Sequence, residues 1–227
     1  MVDWIMNYQH DILRWIHVIV MAYWLGGEWG VFNASTNVAN AALPIAERKR
    51  YMELAYMIDI VPRSMIIWLL PVGFHMAANL GISPITGIWV GVIWVAVALW
   101  WVLLFSAYRA RGTDRGLALT LWDERIRYVV IPALVLLGGI SLVTGAPVTA
   151  GWFAAKLTLF GLLLIIGLYL RFVMRDWVIA FRQLETGGAT PALEQSISSI
   201  LAKARRLAYV YWVGIATVAF FGVVKPF

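Results

Sequence analysis

Two of the three histidines lie inside long apolar stretches of the sequence that are expected to cross a membrane in opposite directions. His17 follows the start of the first stretch by less than two helical turns, and His75 precedes the end of the second by a similar length. At roughly 1.5 Å of rise per residue, both lie about 9–10 Å below the same membrane face. Ionisable residues inside a membrane mark functional sites, and paired imidazoles at one depth are typical ligands of haem iron. The spacing therefore predicts His17 and His75 as axial ligands of one haem.

The composition is that of an integral membrane protein. Hydrophobic residues make up 62% of the 227 residues, and the mean hydropathy is +0.80. Charged residues cluster between the apolar stretches, so the net charge of +6 indicates a basic rim at one membrane face and not nucleic-acid binding. Because the chain has no cysteine, thiolate-ligated iron–sulfur clusters and covalent haem attachment are excluded. Any haem would be held non-covalently, as haem b.

Six stretches meet the length requirement for a transmembrane helix. They lie near 11–32, 62–82, 86–108, 126–147, 152–174 and 207–224. The sequence therefore predicts an all-α integral membrane bundle of six transmembrane helices, forming a single domain over 1–227.

The charged connections between these spans are predicted to be helical extensions. Residues 43–59 are amphipathic and are expected to lie along the membrane interface before the second span begins. Thr190 is a candidate N-cap with Pro191 at the first helical position, so a helix is expected to run from there into the last span.

The distribution of basic residues predicts the orientation. All lysines and arginines except Arg14, Lys156 and Lys225 fall on one side of the six spans. This side is expected to be cytoplasmic, because cytoplasmic connections carry an excess of Lys and Arg. Both termini and the two paired histidines then lie towards the non-cytoplasmic face.

Two basic residues lie near the predicted haem. Arg14 shares a helix face with His17 and is closer to the surface, where it can pair with a haem propionate or extend to lipid headgroups. Lys156 lies about one turn into the fifth span, on the same side of the membrane. It can neutralise a propionate, ligate iron as a neutral amine, or extend to the interface.

Glu28 lies near the opposite end of the first span, about 16 Å along the helix from His17. A carboxylate at this position can relay protons to a quinone, or it can pair with Arg63 at the start of the second span. The ion pair is the simpler prediction.

Four short motifs resemble the HemJ and CopD-like membrane proteins. The motifs occur in the same order as in the family. The first is Trp-Ile-His-Val-Ile at 15–19 followed by Trp-Leu-Gly-Gly at 24–27, and the second is Met-Glu-Leu at 52–54 followed by Pro62. The third is Gly-Trp-Phe-Ala-Ala-Lys-Leu at 151–157, and the fourth is Val-Val-Lys-Pro-Phe at 223–227. HemJ-type proteins are four-helix membrane proteins that bind haem b and oxidise protoporphyrinogen IX. The resemblance implies that His17 is an axial ligand and that Lys156 is a functional residue able to ligate.

The chain departs from the HemJ pattern in three respects. It has two additional predicted spans, it adds His75, and it has Gly-Leu-Tyr at 167–169 where the family tends to have Gly-Tyr-His. These departures favour a relative whose second ligand is His75 and whose task is electron transfer.

The function predicted first is that of a b-type cytochrome in the bacterial cytoplasmic (inner) membrane. It would transfer electrons between a quinone and a periplasmic redox partner of the cytochrome c type, as the membrane subunit of a larger oxidoreductase. Three alternatives stay open. They are a HemJ-like protoporphyrinogen IX oxidase, a CopD-like protein for copper transport or assembly, and a structural helix bundle within a respiratory or photosynthetic complex.

Overall fold

The computed structural model describes residues 2–227, with side chains from residue 7 onward, and these residues form six α-helices. The helices are α1 (Val2–Val38), α2 (Ile45–Asn79), α3 (Ile88–Arg109), α4 (Asp114–Thr144), α5 (Gly151–Gly187) and α6 (Pro191–Val224). No strand occurs in this described part. The prediction of an all-α fold is therefore confirmed.

Five of the six helices, α2 to α6, are long and apolar enough to cross a membrane. This confirms the prediction of a multi-pass helical membrane protein for five spans, not six. Helix α1 has sufficient length, but His17, Glu28 and several tryptophans lower its mean hydropathy. Polar side chains that face the interior of a bundle have this effect without facing lipid.

Five helices, α1, α2, α4, α5 and α6, extend well beyond the predicted spans, and in the last four of these the charged connections continue the helix. Helix α2 runs unbroken from Ile45 through Pro62 and Pro71 to Asn79, so most of the amphipathic segment at 43–59 and the second span belong to one helix. The predicted position of this segment at the membrane interface stays a prediction. The start of α6 agrees with the prediction. The Thr190 side chain accepts a hydrogen bond from the Leu193 backbone N–H at 3.3 Å.

Neighbouring helices are antiparallel because short connections join them. Between α1 and α2, Gly27 packs against Pro62 and Gly30 against Ile58, so residue numbers fall along one helix as they rise along the other. One end of the bundle, called here the arginine end, holds the connections at 39–44, 110–113 and 188–190. The opposite or terminal end holds the connections at 80–87 and 145–150 and the last residues of the chain.

The larger of two hydrophobic cores draws side chains from all six helices. Its largest fully buried side chains are Trp24, Ile67, Leu164, Tyr211 and Ile215. A smaller core lies nearer the arginine end, around Trp177 and Phe181.

Several arginines that the sequence assigned to a solvated rim are buried. The side chain of Arg48 is only 1% exposed. Its guanidinium donates two hydrogen bonds to the Glu194 carboxylate at 2.7 and 3.0 Å, and its Nε donates to the Val38 carbonyl at 2.7 Å. This bidentate pair links the end of α1 with the starts of α2 and α6.

Asp123 of α4 is the centre of a second buried group. Its carboxylate accepts hydrogen bonds from Trp100 Nε1 at 2.7 Å, Arg127 Nε at 3.2 Å and Arg171 at 2.5 Å. The three donors come from α3, α4 and α5. One carboxylate therefore connects three helices near the arginine end.

Candidate functional site

His17 of α1 and Lys156 of α5 contact each other in the interior of the bundle, towards the terminal end. The distance between Lys156 Nζ and His17 Nε2 is 3.4 Å. The donor and acceptor roles in this contact depend on the tautomer of the His17 ring. The other ring nitrogen, Nδ1, is buried and has no hydrogen-bond partner among the described residues.

Two glycines lie beside this pair. A Cβ atom at position 73 of α2 would lie 3.7 Å from His17 Cε1, which is an ordinary contact, and a Cβ atom at position 222 of α6 would lie 2.7 Å from Lys156 Nζ. Small residues allow membrane helices and their side chains to approach closely. Gly222 therefore leaves room for the end of the Lys156 side chain, and the pair lies between α1, α2, α5 and α6.

His75 lies in different surroundings. Its Nδ1 accepts a hydrogen bond from Trp94 Nε1 at 3.3 Å, and its Nε2 lies 3.0 Å from the side-chain amide of Gln9. Both ring nitrogens are therefore engaged. Gly73 faces His17, and His75 lies two residues further on, about 200° around the helix. The structure brings His17 to Lys156, and His75 to Gln9 and Trp94, while shared ligation by the two histidines stays a prediction.

Arg14 is exposed and forms no ion pair with any residue that the structure describes. It shares α1 with His17 but lies nearer the terminal end. Its predicted contact with a propionate stays a prediction.

A cavity of about 140 Å³ lies in the half of the bundle towards the arginine end, and it is called here the inner cavity. Its walls come mainly from α1, α2, α5 and α6. Most of its lining is apolar, and it also includes five charged side chains, which are Glu28, Asp59, Arg63, Arg127 and Arg171.

The ion pair predicted between Glu28 and Arg63 does not form. Arg63 Nε instead donates to Asp59 at 2.6 Å, one turn earlier on the same helix, which is a favourable spacing for opposite charges. Glu28 has no ion pair or hydrogen bond with the residues described, and it lines the inner cavity. The sequence identified Glu28 as a candidate but assigned it the wrong partner.

One face of helix α1 carries a residue of the His17–Lys156 pair and a residue that lines the inner cavity. His17, Trp24 and Glu28 are seven and four residues apart, so they lie along the same side of the helix. Trp24 is buried, and its ring packs edge-on against Phe160 and Tyr211 with centroids 5.8 Å apart in both cases. These aromatic rings separate the inner cavity from the His17–Lys156 pair.

The chemistry of the His17–Lys156 pair fits a haem iron better than a bare metal ion. No group of three His, Asp or Glu side chains able to hold a metal occurs in the part of the chain that the structure describes. A haem needs only one or two protein donors, because the macrocycle supplies the others. An imidazole nitrogen and an adjacent amine are donors of the kind that haem iron accepts.

Lys156 and His17 are also the two residues to which the resemblance to HemJ-type proteins assigns a role. The sequence placed them at a similar depth, and their contact follows from the packing of α5 against the rest of the bundle. Comparisons of the chain with models of protein families, with curated proteins and with solved structures found no match.

Proposed function

We propose that this protein is a membrane-bound b-type cytochrome. A haem b held at the His17–Lys156 pair would exchange electrons with a quinone and with a periplasmic redox partner. The supporting observation is the contact of an imidazole and an amine, 3.4 Å apart in the interior of the bundle. Polar side chains at such a position are costly in a membrane, so their presence favours a functional role.

His17 is the proposed iron ligand through Nε2, the nitrogen that lies 3.4 Å from Lys156 Nζ. Lys156 is the proposed second donor, because its Nζ is the nearest side-chain nitrogen to that atom among the described contacts. Bound haem would supply one-electron transfer, with a potential set by its ligands and by burial. Trp24, Phe160 and the adjoining core exclude water from one side of the pair. His75 stays a candidate ligand that the test below addresses.

The proposed location is the bacterial cytoplasmic membrane, with the arginine end in the cytoplasm. Fifteen of the 18 lysines and arginines lie on that side, which supports this orientation. Helix α1 is proposed as a sixth span because it packs antiparallel along α2, which is itself long and apolar enough to cross the membrane. Both termini and the haem would then lie towards the periplasm, where a c-type cytochrome could exchange electrons.

A HemJ-like protoporphyrinogen IX oxidase is the second candidate function. The observation in its favour is that the two residues implied by that resemblance, His17 and Lys156, are in contact. Purified protein supplied with protoporphyrinogen IX would then form protoporphyrin IX. A cytochrome would be reduced and reoxidised without porphyrin turnover.

The test of haem binding is the visible spectrum of purified protein, oxidised and dithionite-reduced, with haem quantified as the pyridine haemochrome. We expect sharp α and β bands in the reduced wild type, their loss in His17→Ala, and an altered spectrum in Lys156→Ala. His75→Ala is expected to keep the wild-type spectrum, and His10→Ala is the matched control.

Loss of the bands in both His17→Ala and His75→Ala, with Lys156→Ala unchanged, would establish ligation by two histidines instead. A colourless wild-type protein from cells supplied with haem precursors would contradict the proposed function.

A further inference from the structure

We propose that the inner cavity binds the ring of a quinone or quinol, with Glu28 and Arg63 as its polar contacts. The choice of ligand class rests on the proposed function, which requires a lipid-soluble electron carrier. The location rests on four features of the cavity: its size, its lining, its unpaired polar groups and its position beside the lipid-facing surface.

The size and lining are those of a site for a small ring. A single water needs only about 10–15 Å³ of such volume, so a cavity of about 140 Å³ has room for more than isolated waters. Ligand sites are mostly apolar with a few convergent polar groups. The inner cavity has this character, with Ile66, Leu164 and Leu168 among its apolar residues.

The polar groups still available in the cavity match the two oxygens of such a ring. Arg127 and Arg171 already donate to Asp123. Arg63 uses one of its five N–H groups on Asp59, so others can donate to a quinone carbonyl. The Glu28 carboxyl group forms no hydrogen bond or ion pair with the described residues and can accept from a quinol hydroxyl.

The aromatic seam between α1 and α6 gives the cavity its contact with the lipid-facing surface. Phe32 and Trp212 both line the cavity, and their ring centroids are 5.1 Å apart. Outside them lie Trp29 and Tyr209, which contact Trp212 at 4.8 and 5.6 Å and are more than half exposed. An apolar ligand can therefore reach the cavity sideways from the bilayer, by displacement of aromatic side chains and not of backbone.

The position of the cavity also suits electron exchange with the proposed haem. Tyr211 lines the cavity and packs against Trp24, which lies between Glu28 and His17 on one face of α1. Buried aromatic side chains therefore lie between a ring in the cavity and the His17–Lys156 pair.

The experiment is photo-crosslinking of the full chain in lipid nanodiscs with a short-chain azido-ubiquinone, in competition with decylubiquinone. Labelled peptides are mapped by mass spectrometry, and the haem content of each sample is measured in parallel. We expect labels within 28–35 of α1 and 201–212 of α6, which decylubiquinone displaces.

Two variants test the assignment, each with a matched control. Glu28→Gln keeps the shape of the side chain and replaces one carboxyl oxygen by an amide NH2 group, which cannot accept a hydrogen bond, so we expect about tenfold weaker competition by decylubiquinol. Glu53→Gln, at an exposed position of α2, is expected to match wild type. Ala208→Phe fills the cavity and is expected to abolish displaceable labelling, whereas Ala216→Phe, on an exposed face of α6, is expected to retain it.

Displaceable labelling that maps elsewhere, or that is unaffected by Glu28→Gln and Ala208→Phe, overturns the inference. Absence of displaceable labelling in a haem-containing wild type overturns it as well and leaves the proposed cytochrome standing. Displaceable labelling of the cavity in a protein that binds no haem supports the site and contradicts the proposed cytochrome. Because Glu28→Gln is nearly isosteric, its effect on competition by decylubiquinol tests the quinone site even where Ala208→Phe fails to fold.

Discussion

Asp123 carries three hydrogen bonds at a position where its side chain is only 1% exposed. Two of its donors are the guanidinium groups of Arg127 and Arg171, and the third is the indole of Trp100. A buried ion pair contributes little relative to an apolar replacement, but removing one partner leaves the other charge uncompensated. The carboxylate of Asp123 is therefore expected to matter more for stability than any exposed acidic residue.

Replacing Asp123 by Asn tests this. We expect Asp123→Asn to lower the free energy of unfolding by about 3–5 kcal/mol, because two buried arginines lose their main counter-charge. Thermal unfolding in detergent, followed by circular dichroism, would report this as a lower Tm. Asp176→Asn is the control, since Asp176 is exposed on α5 and forms no ion pair with the described residues. Equal Tm values for the two variants would contradict the role given to the buried group.

The two histidines illustrate what a residue's depth does and does not predict. Helical rise fixes how far His17 and His75 lie from the membrane surface, and this follows directly from their positions in the sequence. The direction in which each side chain points depends on how its helix is rotated against its neighbours. Position 73 of α2 faces His17, and His75, about 200° further around the helix, faces Trp94 of α3.

Among the helices, the contact of α4 with α5 depends on glycines at the interface, and Gly138 is the tightest against backbone atoms. A Cβ atom at position 138 would lie 2.5 Å from the Ala154 carbonyl oxygen and 2.6 Å from the Thr158 backbone nitrogen. These are backbone atoms, so the clash cannot be relieved by rotating a side chain. Gly139, the next residue, has no atom within 4 Å of its Cβ position.

The adjacent glycines provide a matched pair of substitutions. Gly138→Ala is expected to cost about 1–3 kcal/mol through overpacking of α4 against α5. Gly139→Ala is expected to be neutral or slightly stabilising, because alanine favours helix more than glycine does. The Tm of each variant in the same detergent provides the measurement. Similar losses in both variants would show that α4 and α5 do not pack as described.

Over the molecule as a whole, apolar side chains cover the outside of the bundle. Ile88 is 81% exposed and Val143 is 87% exposed, and each lies near the terminal end of a helix able to span a membrane. Large exposed apolar surfaces on a soluble protein would promote association. On this chain, the exposed apolar side chains of the membrane-spanning helices form the surface suited to face lipid.

The proposed orientation can be tested because the chain contains no cysteine. Single cysteines are introduced at exposed loop positions, with Ala41→Cys and Ala189→Cys at the arginine end and Thr86→Cys and Thr149→Cys at the terminal end. In intact cells, a membrane-impermeant maleimide is expected to label only the two at the terminal end, because basic connections remain cytoplasmic. Labelling of all four after lysis is the control. The reverse pattern would invert the orientation, and with it the side on which the partners of the proposed haem lie.

The sequence by itself determined that the chain forms membrane-spanning helices, where most of them lie, and that α6 begins after Thr190. These features depend on local composition and on side chains that cap their own helix, so they can be read without knowing what lies next to them. Only the tertiary structure decided that Lys156 meets His17, that Arg63 pairs with Asp59 and leaves Glu28 facing a cavity, and that Arg48 is buried. Each of these contacts depends on the rotation and register of whole helices against one another, which the combined packing of all six determines.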